Sequence, residues 1–217
     1  MSTFPNSPRL IKGGLALLDP QSGAVLSIIP LQYNPDTLTR SFQIKGVGSE
    51  GGDRLEALRL KGPPAETIKV EAEIDATDKL ETADSQATQA GLHPYLAALE
   101  ILVYPSSRHL QSNNSIASSG SLEIVPTQAP LVVFVFGPKR IAPVRITEFS
   151  ITEEAFDTAL NPIRAKVSLG MRVLSVDDIG FDTKGGGLFM TYLQAKEQLA
   201  SQSKAGTFGA LGITGIP

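Results

Sequence analysis

The chain has 217 residues, with 19 basic and 22 acidic side chains and a net charge of −3 at pH 7. Its 41% content of hydrophobic residues is typical of a globular protein, and a chain of this length buries roughly 70% of its unfolded surface. The absence of cysteine excludes disulfides, thiol nucleophiles and cysteine-ligated metals, and two histidines leave little for a metal site.

The mild acidity argues against general nucleic-acid binding, because phosphate contacts require clustered Lys and Arg and the longest basic cluster is Lys139-Arg140. No stretch approaches the 18 or more apolar residues of a membrane helix, and the first residues lack the pattern of a signal peptide. We therefore expect a protein made in the cytoplasm, with no nucleic-acid partner and no direct membrane insertion.

The first third of the chain predicts a hairpin and a further strand. Two apolar runs, residues 10–18 and 24–33, are joined by a Pro- and Gly-containing turn at 19–23. A third candidate strand covers 38–44, after Asn34-Pro35-Asp36.

Strict alternation of apolar and polar residues predicts two long strands, at 66–75 and 163–173, each with one wet face. The apolar run 131–136 (LVVFVF) predicts a strand buried on both faces. At 144–151 the alternation shifts phase, which indicates a strand with a bulge near Glu148.

Helical spacing is confined to two segments. The first stripe is Leu92, Tyr95, Leu96, Leu99 and Val103, and the second is Leu188, Tyr192, Ala195 and Leu199. The polar residues 105–129 are interpreted as a loop, and residues 201–217 as a flexible Gly-rich tail. The predicted class is mainly β (α+β), one domain with an inserted helix and a C-terminal helix.

Possible catalytic or ligand-binding patterns are few. Residues 46–51 match GxGxxG outside any strand–helix–strand unit, and Gly185-Gly186-Gly187 lacks the order of a phosphate-binding loop, so we interpret them as a flexible loop and a bend. Acid/base chemistry at Glu153, Glu154 and Asp157 competes with a solvated turn, which we favour. His93 and His109 lack partners at metal or triad spacing.

The polar face of the strand at 163–173 carries three cations, Arg164, Lys166 and Arg172. Two explanations are open. The cations pair with acids of a neighbouring subunit, or they keep an edge strand from aggregating.

Three stretches together resemble a known family. They are 31–38 (LQYNPDTL, with Asn34 and Pro35), 129–137 (APLVVFVFG, with Phe136 and Gly137) and 156–169 (FDTALNPIRAKVSL, with Phe156, Asn161 and Pro162). They are similar to the NP element, the PPxxxFxWG strand and the FxxxGxPxRAxVxL hairpin of contractile injection system tube-type proteins. These are the baseplate adaptors and tube initiators of phage-tail-like particles.

The resemblance covers residues 10–176, after an N-terminal arm at 1–9 and before the helix and tail of 177–217. Phe136 replaces the family's Trp, and Asn161 is assigned to the position of its Gly, as a turn residue that tolerates positive φ. After Val176 the sequence does not continue into the LysM module of many members, so no peptidoglycan role is expected.

What the resemblance implies is a tube-like β-barrel or sandwich in a ring, usually six-fold, that links the central spike to the inner tube and initiates the tube. The implied partners are other copies of the chain, the spike protein, and the inner tube or a second tube initiator, with baseplate wedge proteins as further candidates. No catalytic residue, cofactor or metal is implied. The alternative is an inner-tube or tail-completion subunit, and a small nucleotide-binding or hydrolytic enzyme is less favoured.

Overall fold

The computed structural model describes residues 11–46, 59–118, 129–203 and 206–216. One seven-stranded antiparallel sheet has the order β2-β1-β5-β6-β7-β4-β3. The strands are β1 (Gly14–Leu18), β2 (Val25–Pro30), β3 (Leu38–Gln43), β4 (Ala65–Asp75), β5 (Leu131–Val135), β6 (Ile141–Phe156) and β7 (Pro162–Val173). The helices are α1 (Thr77–Glu81), α2 (Ser85–Ala90), α3 (His93–Glu100), α4 (Ser107–Ser118), α5 (Val176–Ile179) and α6 (Lys184–Gln202). The predicted α+β, mainly β class is confirmed.

The sheet curls around one hydrophobic core, which receives side chains from both of its ends. Ile29 of β2 and Ile68 of β4 belong to the same buried cluster as Leu96 of α3 and Phe189 of α6. The two strictly alternating strands, β4 and β7, each turn a continuous apolar face towards this core. Both strands are confirmed close to their predicted limits.

Polar contacts hold the curled ends together. The side-chain amide of Gln32, just after β2, donates to the carbonyl of Asp75 (2.6 Å) and accepts from its N–H (2.9 Å). The Tyr95 hydroxyl of α3 donates to the carbonyl of Pro30. These bonds bring the end of β2 to the end of β4 although the two strands are not neighbours in the sheet.

Strand β5 is buried on both faces, as its continuous apolar run predicts. Val132 and Phe134 point into the main core, while Leu131 and Val133 form a second, smaller cluster with Leu18. The predicted bulge is also confirmed, because the pairing of β6 with β7 shifts register between Ile146 and Glu148. The N-terminal hairpin and strand β3 are present as expected.

The prediction of a polar loop over residues 105–129 is wrong for its first half, which is helix α4. None of the described residues of α4 is buried, so the helix has no apolar stripe to reveal it. Its Ser115 and Ser118 hydroxyls donate to carbonyls four residues earlier, which satisfies polar groups locally. Residues 119–128 lie outside the described part of the chain. Helices α1, α2 and α5 were also not predicted, because each has six residues or fewer.

The three glycines at 185–187 lie within the first turn of α6, where we had expected a bend before the helix. The Thr183 hydroxyl caps this turn by accepting from the N–H of Gly186 (3.0 Å). A Cβ built on Gly186 would lie 2.0 Å from the carbonyl oxygen of Gly180, at the end of α5. Glycine at 186 therefore allows α6 to start in direct contact with α5.

Gly186→Ala should destabilise the chain by about 1–3 kcal/mol, because the new methyl group forces α6 away from Gly180. Gly187→Ala is the matched control, since a Cβ at the next position meets nothing within 4 Å. The control should change stability little, or raise it by up to about 1 kcal/mol through helix propensity. Urea unfolding measures both, and equal effects of the two substitutions would contradict the close contact.

Candidate functional site

Asn34 of the NP element fastens the start of β1 to the loop that follows β2. Its side-chain oxygen accepts from the N–H of Gly13 (2.8 Å), and its side-chain nitrogen donates to the carbonyl of Ile11 (2.8 Å). Asparagine is suited to this position because one amide both donates and accepts. Pro35 follows in the connection to β3. Asn34 thus has a structural function within the chain.

Phe136 and Gly137 form the turn between β5 and β6. Gly137 has φ +75°, a conformation that favours glycine, and the N–H of Phe136 donates to the carbonyl of Arg140 (2.8 Å). The Phe136 ring stacks on Phe134 with centroids 5.9 Å apart, and the Arg140 guanidinium lies 5.7 Å from its centroid. Phe136 is half-buried, so the aromatic position lies at the rim of the core.

Asp157 holds the turn between β6 and β7. Its carboxylate accepts from the N–H groups of Ala159 and Asn161 and from the side-chain nitrogen of Asn161, each at 2.8 Å. The side-chain bond from Asn161, and next its backbone bond, lower the pKa of Asp157 below its usual range. Pro162 then begins β7 as a buried residue.

The residue with positive φ in this turn is Leu160, at +63°, and not Asn161. Our assignment of Asn161 to the family's glycine is therefore wrong. Counted from Phe156, the glycine of FxxxGxP falls on residue 160. Leu160 is 76% exposed and Phe156 is 51% exposed, so the turn presents two apolar side chains at the tip of the β6–β7 hairpin.

The three cations of β7 all have acidic partners in the same chain. Arg164 pairs with Asp75 (3.0 Å), Lys166 with Glu154 (3.1 Å) and Arg172 with Asp178 (2.6 Å). Strand β7 lies between β6 and β4, so the explanation that its cations protect an edge strand is wrong. Pairing with acids of a neighbouring subunit stays a prediction.

A glycine in the middle of β7 allows one ion pair to cross that strand. Gly170 stands in register with Lys69 of β4 on one side and with Glu148 of β6 on the other. Its missing side chain leaves room for the Lys69–Glu148 pair (2.6 Å), since a Cβ there would lie 2.8 Å from the Glu148 Cβ. The polar face of the hairpin is thus tied to β4.

The carboxylates considered for acid/base chemistry do not form a pair. Glu153 and Glu154 are successive residues of β6 and stand in register with different β7 residues, while Asp157 is occupied by the turn. His93 is exposed at the start of α3, and His109 contacts Asn113 within α4. Over the described ranges, no three His, Asp or Glu side chains are grouped as metal ligands. The GxGxxG match lies outside the described residues except for Gly46.

Glu66, which the sequence analysis did not single out, is the most constrained charge described. Its side chain is 5% exposed and accepts from Arg40 of β3 (2.8 Å), Tyr192 (2.9 Å) and Lys196 (2.6 Å), the last two in α6. The alternation of the sequence could have revealed Glu66, because this residue occupies the same inward-facing positions of β4 as Ile68. A carboxylate on the buried, apolar face of a strand needs hydrogen-bond donors around it. Here the three donors join α6 and β3 to β4.

The pKa of Glu66 reflects these donors. Burial is the largest single effect and would raise the pKa, but the hydrogen bonds from Lys196, Arg40 and Tyr192 together outweigh it and lower the pKa. Burial, and next the charge of Glu66, raise the pKa of Tyr192. At neutral pH the cluster therefore contains an ionised carboxylate and a protonated tyrosine.

The two outer strands of the sheet, β2 and β3, each have a strand partner on one side only within the described residues. Strand β2 exposes Val25, Leu26 and Ile28 and carries no charge, while β3 exposes Phe42 beneath the cations of Arg40 and Lys196. In the part of the chain that the structure describes, each edge therefore has backbone groups without a strand partner, which another chain could pair with. Among the described helices, none combines the length and apolarity needed to cross a bilayer.

Comparison of the chain with known proteins identifies no family and gives a weak structural similarity. No protein-family model and no curated protein matches the sequence. Among solved structures, the chain is similar to a chain of one described as "Virion of native gene transfer agent (GTA) particle". The TM-score is 0.28 and the identity 12%, over 74% of this chain and 90% of that chain. A similarity of this size determines neither the fold nor the function of the present chain.

Glu66→Gln should destabilise the chain by about 2 kcal/mol at pH 7, because it removes the charge that Arg40 and Lys196 surround. The pKa of Glu66 is lower in the folded chain than in the unfolded chain, so its charge stabilises above pH ~4.3. That contribution is lost as the pH falls through the folded pKa. The stability gap between wild type and variant should therefore narrow in acid.

Chemical denaturation at a series of pH values measures this gap. Glu148→Gln is the matched control, because its pair with Lys69 is exposed and should contribute less than about 1 kcal/mol. If the gap between wild type and Glu66→Gln stays constant from pH 7 to pH 3, the ionised cluster does not stabilise the fold.

Proposed function

We propose that this chain is a structural subunit of a phage-tail-like contractile particle. In this proposal it forms a ring, six-fold by resemblance to tube-type proteins, that links the central spike to the inner tube and initiates tube assembly. Its partners are other copies of itself, the spike protein, and the inner tube or a second tube initiator. The chain is made in the cytoplasm and incorporated into the particle, where it acts through shape and contact.

The observation that carries the proposal is the pair of unpaired outer strands. The curled sheet ends in β2 and β3, and neither has a second strand partner among the described residues. An exposed edge with large apolar side chains favours uncontrolled association unless another chain covers it. Assembly into a closed ring covers such edges in every copy at once.

The β6–β7 hairpin also supports the proposal. Its turn is held by three hydrogen bonds to Asp157, and the strained Leu160 sits within it. A rigid tip that exposes Phe156 and Leu160 suits contact with a partner, because little conformational entropy is lost on binding. Non-glycine residues with positive φ often mark such functional positions.

Electron-microscope class averages test the proposal directly. The purified chain should give discrete rings, and together with its spike and tube proteins it should enter sheathed, tube-bearing particles. Polymerisation of the chain alone into long tubes would identify it as a tube subunit instead. A chain that stays monomeric and never enters such a particle would refute the proposal.

Leu160→Gly separates stability from assembly. It relieves the positive φ and should raise the free energy of unfolding by about 1 kcal/mol. It also removes the most exposed apolar side chain of the tip, so incorporation into particles should fall. Thermal unfolding and particle yield measure the two effects.

Ala83→Gly provides the control, because Ala83 is also exposed with positive φ (+52°) but lies after α1, away from the hairpin. It should stabilise the chain without lowering the particle yield. If both variants lose particle yield equally, or if Leu160→Gly loses none, the hairpin tip does not contact a partner in the particle.

A further inference from the structure

Among the exposed apolar groups of the described residues, two surfaces are distinguished by having no charged residue in their own segment. One is the C-terminal segment 206–216, called the tail here, and the other is the outer edge of strand β2. They lie on the same chain, yet the folded chain covers neither. Large exposed apolar groups of this kind mark interaction sites.

The tail contains no charged residue. Four large apolar side chains are exposed in it, at Phe208, Leu211, Ile213 and Ile216. A short 3-10 turn at Phe208–Leu211 is closed by backbone bonds that stay within the tail, such as Ile213 N–H to the Phe208 carbonyl (3.1 Å). No tail residue belongs to either buried cluster. The fold does not depend on the tail, which is available to bind elsewhere.

The β2 edge has matching properties. The sequence has no charged residue between Asp19 and Asp36, a stretch that contains all of β2. Ile28 is 67% exposed and stands opposite Ala16 of β1, while Val25 stands opposite Leu18. The two side chains therefore share one face of the sheet, next to an open strand edge.

We infer that the tail of one copy docks along the β2 edge of a second copy. This inference rests on the proposed ring function and names the contact between neighbours. Neither the tail nor β2 contains a charged side chain, so their union removes mainly apolar area from water. Docking as an added strand requires the 3-10 turn to open, and the glycines around Leu211 and Ile213 permit this change of conformation. In the extended form the backbone of the tail pairs with the edge, while Leu211 and Ile213 pack on one face.

A second copy is the expected partner because a single chain leaves both surfaces exposed although they are covalently linked. Leu211 is 74% exposed and Ile216 is 78% exposed, so the tail gains little cover from its own fold. Exchange of a terminal segment between identical chains is a low-cost route to oligomers.

Sedimentation velocity of the full-length chain over a range of concentrations tests the inference. Self-association should weaken about tenfold or more in Leu211→Asp and in Ile28→Asp, since each places a charge in an apolar contact. Ile101→Asp is the control, because Ile101 is similarly exposed but lies after α3, outside both surfaces. Unchanged association in either test variant, or an equal loss in the control, would overturn the inference.

A synthetic peptide of residues 206–217 distinguishes the second copy from the chain's own tail. The peptide, followed by fluorescence anisotropy, should bind the Leu211→Asp chain, which has a free β2 edge, and should not bind Ile28→Asp. Tight peptide binding by Leu211→Asp with a strictly monomeric wild type would mean that the tail covers its own edge, which would refute docking between copies.

The two proposals fail separately. If Leu211→Asp and Ile28→Asp chains still enter tube-bearing particles as well as wild type, the tail contact is wrong and the ring function stands. If the tail contact is present in solution but wild type never enters particles, the ring function is wrong.

Discussion

The buried carboxylate of Glu66 is the interaction on which the arrangement of the outer elements depends. It joins three elements that are distant in sequence, since Arg40 lies in β3 and Tyr192 and Lys196 lie in α6. Lys196 also lies 4.0 Å from the centre of the Tyr192 ring, so its ammonium is held by the carboxylate and by an aromatic face. Because a buried charge without partners is costly, we expect the loss of any one donor to weaken this junction between β4 and the element that supplied the donor.

The ion pairs on the opposite, wet face have a different role. Lys69–Glu148 and Lys166–Glu154 are well exposed, so each contributes little to the free energy of unfolding. These ion pairs favour the correct strand register, because each joins residues of different strands. A shift in register that placed like charges opposite each other would oppose strand pairing. These two pairs therefore favour the observed register at the centre of the sheet, while the apolar face of β7 supplies the core.

Much of this fold could be predicted from period-two alternation, which is unambiguous in β4, β7 and the buried run of β5. The pattern does not show which strands pair, so it leaves an edge position open for β7, whereas the strand lies between β6 and β4. Helix α4 was missed because a helix without a buried face has no stripe. Within the site, the sequence motif locates the turn between β6 and β7 correctly. It predicts the positive φ at Asn161, because asparagine tolerates that conformation more readily than leucine, but the residue with positive φ is Leu160.

The two edges of the sheet differ in a way that bears on assembly. At β3, Phe42 lies beneath Arg40 and Lys196, so charge accompanies the exposed aromatic ring and discourages indiscriminate strand pairing. At β2, the exposed aliphatic side chains have no charged residue beside them in the strand or in the rest of the stretch between Asp19 and Asp36. Natural sheets normally protect an edge with charge, proline or a bulge, and β2 has only the irregularity opposite Leu17 and Leu18 and the terminal Pro30. The weakly protected edge is therefore the one that needs a partner, whereas the β3 edge can stay in water until a neighbour binds.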